Sequence, residues 1–458
     1  MVNFWEVVER CDKGERMDEA DYDLMLFQAA KDLVNKYDIR FDPDQIVPQD
    51  DDLADRAFEA GLELFLKVGF YCLDTKRIVR FTREEIKEVL THAPSSYTWG
   101  TGRDQRTCTA RKVEDSSDPS CIFSGLGVPV PEDQFLQVNR ALAGEPHADA
   151  FCGVSLDSTF RGIPLRSGHP IEVAAGIFDV TKRREAARLV GRPGLGLYCF
   201  VSAAEASDAI IASSCWALNR DSTQNGAIAE MKVDFARMNK VAYQLEKGLG
   251  IGGLFGPLMG GYAGGPEGTM LVQIAHFFLG LTAFQAEYAI CFPIDIHQVC
   301  NSSSEMLWLS SVYSQAISRN THLLNLSVAM AAAGPASEML FYEFVAYSMI
   351  AAVSGASGIV TGGIARDKHP ERVSALEMRA AAEASHIVAR SGMSRSDVNK
   401  VIKKIVAIYE KDIPNAPLGK KFCEIYDMER VTPLPEYMEV LQKVRKNLAE
   451  LGLDYSVL

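Results

Sequence analysis

The sequence has no Cys-x-x-Cys pair and no Cys/His spacing of the metal-finger kind. Its ten cysteines (11, 72, 108, 121, 152, 199, 215, 291, 300 and 423) are scattered over 458 residues. That spacing argues against a disulfide framework and for reduced thiols, so a cytoplasmic protein is expected. Positive charge is scarce: 47 Lys and Arg stand against 60 Asp and Glu, a formal net charge of −13. Such a surface repels phosphate backbones and anionic lipids, which argues against nucleic acid and membrane partners. The opening MVNFWEVVERCDKGERMDEADYD is charged throughout and has no apolar leader core. Long bulky apolar runs are missing too. Gly248 to Pro266 holds nine glycines in 19 residues, and Phe344 to Ala365 is broken by Ser354-Gly-Ala-Ser-Gly358; neither suits a spanning helix. What remains is 47% apolar and 23% charged, an ordinary globular mixture.

The order of elements predicts three segments: 1–120, 121–370 and 371–458. Residues 18–37 and 52–68 have helical apolar spacing, 71–81 reads as a hairpin, and Thr82-Arg-Glu-Glu85 is a capping box opening a helix to about His92. This block suits a lid or brace. From 121 onward, short apolar or Gly-rich runs alternate with helical patterns. Strands are expected at 121–126, 149–154, 195–201, 226–231, 250–256, 290–297, 323–330 and 358–363. Helices are expected at 133–144, 171–190, 203–218, 234–247, 268–288, 303–319 and 336–353, with a helical tail at 375–392, 396–411 and 434–451. Eight strands alternating with helices predict an α/β fold, a (β/α)8 TIM barrel, with an open doubly wound sheet as the rival. Two helical runs, 270–286 and 339–353, are apolar on nearly every face and must be buried. The tail helices can cover one, and an oligomer interface is the expected cover for the other.

Several motifs bear on chemistry. Gly248-Leu-Gly-Ile-Gly-Gly253 matches a dinucleotide fingerprint but runs from helix into strand, the reverse of what pyrophosphate binding needs, so it reads as a joint. Asp295 and His297, two apart on an expected strand, would share one face near the catalytic rim. They could act as acid and base, or hold zinc with Cys300 or Cys215; a hydrogen-bonded structural histidine is the bland alternative. The run Asp295-Ile-His297 also has the spacing of a cobalamin-ligating motif, with Cys300 where that motif has glycine; that reading ranks lowest. Gly260, Gly261, Gly264 and Gly265 surround Tyr262 after expected strand 5, where backbone amides can approach a ligand or cofactor; a tight turn is the alternative. Glu230 and Gln224 bracket expected strand 4, with a Lys232 salt bridge as the structural reading of Glu230.

Short segments in fixed order carry a resemblance along nearly the whole chain: Asp74-Thr-Lys-Arg-Ile-Val79, Gly100-Thr-Gly-Arg-Asp104, Gly191-Arg-Pro-Gly194, Gly260-Gly-Tyr-Ala-Gly-Gly265, Ala333-Gly-Pro335, and Val431-Thr-Pro433 leading to Glu436-Tyr-Met438. The chain resembles the monomethylamine:corrinoid methyltransferases of methylotrophic methanogens. The resemblance implies a barrel, a homo-oligomer, and transfer of a methyl group from a small substrate to the cobalt of a separate corrinoid protein. It implies no tightly bound cofactor, because the cobalamin is carried by the partner. It also marks departures. Where the family has pyrrolysine, after the Gly-Arg-Pro-Gly segment, this chain has Tyr198; where the family has a pocket Glu, it has Leu254. A further family Glu matches Gln224, and a Gln and a Tyr match Val328 and Met330.

The resulting expectation is a pyrrolysine-free methyltransferase acting on a small methylated compound such as a methylamine, a quaternary amine, an ether or a thioether. Tyr198, Asp295, His297 and Glu230 are the expected catalytic residues. Gln224, Leu254, Tyr262, Val328 and Met330 are expected to bind substrate. A zinc-dependent methanol- or thiol-type methyltransferase and a silent binding barrel are the alternatives.

Overall fold

The computed structural model describes residues 2–367 and 369–458. Eight parallel strands form its centre, in chain order around the ring: β1 (Ser120–Val130), β2 (Ala150–Leu156), β3 (Gly196–Leu197), β4 (Ser222–Gly226), β5 (Gly250–Phe255), β6 (Tyr288–Cys291), β7 (Asn325–Ala329) and β8 (Gly358–Thr361). β8 pairs with β1 in the register Gly358 to Ser120, which curls the sheet back on itself. The seam between β3 and β4 has no ladder; Phe200 N–H donates to the Ser222 carbonyl at 3.0 Å instead. Side chains hold that seam. Asp221 accepts from Leu197 N–H at 2.8 Å and pairs with Arg184.

The outer ring consists of α1 (Glu132–Ala143), α2 (Pro170–Leu189), α3 (Ser207–Ser213), α4 (Phe235–Lys247), α5 (Pro266–Ala283), α6 (Ser304–Asn320), α7 (Glu338–Val353) and α8 (Leu376–Arg390). The barrel reading stands. Gly248 ends α4 in the left-handed region at φ +65°, so the glycine fingerprint is a helix-to-strand joint. Six of the strands and all the outer helices lie within a few residues of the sequence reading. Strand 4 does not: it is Ser-Thr-Gln-Asn-Gly at 222–226, not 226–231. No apolar period marks it, because polar groups satisfy it from both sides. Asn225 donates to Gln244 of α4 at 2.6 Å, and Ser222 donates to the Tyr198 carbonyl at 2.6 Å. Strand 6 ends at Cys291, and 294–295 forms a separate short pair with 258–259.

The N-terminal segment braces one flank and plugs the barrel floor. Thr82 and Glu85 make both capping-box bonds at the start of helix Arg83–His92. A hairpin of Ser96–Trp99 and Arg106–Thr109 places Tyr97 and Trp99 under the barrel, against Tyr288 and Tyr198. The apolar α5 is covered by the N-terminal helices. Helix Asp51–Val68 approaches so closely at Gly61 that a Cβ there would lie 2.4 Å from Ile274. The apolar α7 is covered by α8 and the tail helices Arg395–Tyr409 and Pro435–Leu451. The chain thus buries both runs against itself, and the oligomer interface inferred from them is withdrawn. None of the described helices is long and apolar enough to cross a membrane.

Candidate active site

The site is a cavity of about 160 Å³ at the C-terminal ends of the strands. A parallel barrel points alternate side chains inward, and the strand ends carry its chemistry. Ser124 and Gly127 of β1 line one wall; Leu254 of β5 and Phe292, just past β6, line another. Val328 and Met330, two apart at the end of β7, share the inward face with Val360 of β8. Tyr198 follows β3, and Gly362, Gly363 and Asp367 follow β8.

Tyr198 is buried, its ring stacked on Tyr288 with centroids 5.8 Å apart. Its hydroxyl has no hydrogen-bond partner, and burial pushes the phenol well above its ordinary pKa. A buried hydroxyl left unpaired costs about 1–3 kcal/mol, and this one belongs to a residue that lines the cavity. The surrounding backbone is fixed by side chains. Asn301 donates to the Val328 carbonyl and accepts from Met330 N–H, both at 2.8 Å, which pins the β7 wall. Glu343 of α7 accepts from Ser302 and from Ala332 and Ala333 N–H, and burial raises its carboxyl to about 7.

Four of the residues expected from the sequence therefore meet in one cavity: Tyr198, Leu254, Val328 and Met330. The others lie outside it. Gln224 is a strut beneath Tyr198, its amide donating to the Tyr198 carbonyl at 2.6 Å and to Tyr288 Oη at 3.2 Å. It faces a second cavity of about 140 Å³ with Cys199, Thr223 and Lys240. Glu230 lies beyond β4, buried, accepting from Leu258 N–H at 2.7 Å; it forms no Lys232 bridge, because that lysine pairs with Glu19 and Asp23. Asp295 and His297 do not share a strand face. The strand ends at Asp295, whose carboxylate accepts from His297 and Gln298 N–H and caps a turn, leaving His297 exposed on the rim. Gly260 and Gly264 donate to the Gly264 and Gly261 carbonyls, Gly261 donates to the Leu258 carbonyl just before them, and Tyr262 is 48% exposed, so the tight-turn reading fits. Cys300 is buried with its thiol pushed up to about 12, and Cys215 is exposed on the short helix Ser214–Trp216. Among the described residues no group of three His, Cys, Asp or Glu side chains is placed to hold a metal, so the zinc reading loses its ligand set.

The sequence reading missed Asp367, the one carboxylate lining the cavity among the described residues. Burial raises it to about 7, with Ile364 N–H donating to it as the opposing effect. Its signal was an acid four residues beyond the Gly362-Gly363 end of the last strand.

A methyltransferase family model, monomethylamine methyltransferase MtmB, matches residues 2–453. The chain belongs to this family. It is 32% identical to monomethylamine methyltransferase MtmB1 of Methanosarcina acetivorans and to MtmB of Methanosarcina mazei, over 98% of each chain in both cases. The crystal structure of the Methanosarcina barkeri monomethylamine methyltransferase superposes with a TM-score of 0.95 over 99% of both chains at 30% identity, as does a hydroxylamine complex of MtmB. A methyltransferase barrel of this family therefore encloses the cavity.

Proposed function

We propose that this chain moves a methyl group from a small methylated compound to cobalt(I) of a separate corrinoid protein, and that it does so without pyrrolysine. The observation that carries the reading is Tyr198, with an unpaired hydroxyl, in the wall of the mouth cavity. The volume supports a small donor: a cavity of about 150 Å³ holds benzene, so about six heavy atoms fit and a corrin macrocycle does not. The corrinoid thus stays on its partner and supplies the nucleophile that takes the methyl.

The chain's own contribution is to hold the donor and exclude water. Leu254, Val328, Met330 and Phe292 form an apolar wall, which strengthens any electrostatic contact to the donor. The Tyr198 ring gives the donor apolar contact, and its hydroxyl hydrogen-bonds a donor that carries an N–H or a lone pair, which a quaternary ammonium lacks; a phenol has no electrophilic carbon and forms no imine-type adduct. As the methyl departs, its bond to the heteroatom breaks and the electron pair stays with that atom. A quaternary or protonated amine already leaves well and suits such a site; an ether or a thioether needs a proton on its leaving atom. The ten unpaired cysteines, eight of them buried, support a reducing, cytoplasmic setting. The homo-oligomer implied by the family rests on resemblance alone and is read by sedimentation.

The test mixes the protein with cobalt(I) corrinoid, free or protein-bound, and each donor class, and follows methyl–cobalt absorbance. Methyl–cobalt from at least one class is expected. None from any class leaves a binding barrel without chemistry. Tyr198→Phe removes only the hydroxyl. It should leave stability unchanged or slightly raised, because an unpaired buried group is lost, yet lower kcat/KM about 10–100-fold, the equivalent of one buried hydrogen bond. Unchanged kcat/KM would remove the hydroxyl from the mechanism.

A further inference from the structure

Asp367 stands apart from every acid the sequence suggested. It follows Ala365 and Arg366, and all three have positive φ (50°, 61° and 52°), a left-handed run that glycine-free chain rarely adopts. Hydrogen bonds from Ala365 N–H to the Ala333 carbonyl at 2.9 Å and from Arg366 N–H to the Ala331 carbonyl at 3.0 Å hold the run and turn it back toward the barrel. Glycines make room for the carboxylate. A Cβ at Gly127 would lie 2.5 Å from Asp367 Oδ2, and one at Gly363 would lie 2.9 Å from the same oxygen. The carboxylate lies deep in the protein, yet the residue keeps partial exposure, and it lines the mouth cavity.

Around it the wall is apolar and aromatic, and among the described residues no Lys, Arg or His lines the cavity. Asp367 Oδ1 accepts from Ile364 N–H at 3.2 Å, while the buried Tyr198 hydroxyl has no partner. A carboxylate facing an apolar cavity without a cationic wall residue is paired most favourably by a cation from outside. Ring faces of Tyr198 and Phe292 add attraction for a weakly hydrated ammonium and almost none for a neutral molecule of equal size.

We propose that Asp367 is the counter-charge of the mouth cavity and that it restricts the donor to a methylated cation of about six heavy atoms or fewer. This deepens the reading above and rests on it, choosing the quaternary or protonated amine over the neutral ether and thioether.

Calorimetric titration of the full chain at pH 8 and constant ionic strength tests it, with tetramethylammonium chloride as the cation and tert-butanol as the neutral molecule of similar size. The intact protein should bind tetramethylammonium at least about tenfold more tightly than tert-butanol. Asp367→Asn keeps the acceptor for Ile364 N–H and should remove that preference while leaving tert-butanol affinity unchanged. Equal affinities in the intact protein overturn the proposal without need of any variant, as does failure of both to bind at millimolar concentration. So does an Asn variant that retains the preference.

Methyl–cobalt formation separates the two claims. Tetramethylammonium bound through Asp367 without transfer to cobalt(I) leaves the cation site standing and the methyltransferase reading failed. Transfer from neutral ethers by the intact protein as fast as from tetramethylammonium leaves that reading standing and the counter-charge failed.

Discussion

Arg183→Leu should destabilise the protein by about 3–5 kcal/mol, the loss that follows removal of one partner from a buried ion pair. Arg183 and Asp179, both on α2, are fully buried and paired with each other. The guanidinium also donates to the carbonyl of Val154 at the end of β2 at 3.0 Å, to the carbonyl of Cys199 beside Tyr198 at 2.6 Å, and to Ser202. These bonds tie the chain beyond β3 to the end of β2, past the point where the two-residue ladder of β3 with β2 stops. Leucine removes the guanidinium from the Cys199 and Val154 carbonyls and leaves the Asp179 carboxylate buried without its counter-charge, held only by Ser202 and Ala203. Urea unfolding measures the loss. The double variant Arg183→Leu with Asp179→Leu should recover part of it, because the stranded charge is gone. A single variant within about 0.5 kcal/mol of the parent, the range of an ordinary surface change, would mean that backbone alone holds the chain beyond β3 to β2.

Glu230→Gln should stabilise the protein at pH 8 and leave it unchanged near pH 4.5. Burial raises the Glu230 carboxyl to about 8, against the smaller lowering effects of the bond from Leu258 N–H and the charge of Lys232. The folded chain therefore holds a proton between about 4.5 and about 8 that the unfolded chain has already released. The stability due to this group is complete below about 4.5 and is lost as pH rises through about 8. Glutamine keeps the acceptor for Leu258 and carries no charge at any pH, so the advantage of the variant grows through that window. It should reach on the order of 2 kcal/mol at pH 8, given about 1.4 kcal/mol per pKa unit and relaxation around the charge. Unfolding curves of both proteins from pH 4.5 to 8 provide the measurement. Parallel pH profiles would show that Glu230 titrates as an exposed carboxyl does.

Particular elements show what kinds of pattern the sequence carries. The capping box at Thr82 and Glu85 was legible because all its atoms lie within one turn. Strand β5 was legible because Gly-Ile-Gly-Gly-Leu-Phe is apolar and bounded by a glycine joint. Strand β4 was not, because its polar side chains find partners on Tyr198, Tyr288 and Gln244, residues up to 66 positions away. The hairpin that plugs the barrel floor escaped for a similar reason: Tyr97 and Trp99 are ordinary aromatics until the floor of the barrel surrounds them. Spacing misled at Asp295 and His297, where two residues apart means one face only if the strand continues. The carboxylate itself ends it by capping the turn.

By itself the sequence determined the barrel and the family, since alternating βα units and short motifs in fixed order are properties of the chain alone. It also placed Tyr198, Leu254, Val328 and Met330 in one wall, through their match to family positions. Tertiary structure alone decided which acid lines the cavity. Asp295 and Glu230 each give one oxygen to backbone amides away from the cavity, while Asp367, carried on a left-handed turn into a gap kept by two glycines, lines the open volume. A carboxylate's role depends on what its oxygens meet, and that is settled by chain segments more than 200 residues apart.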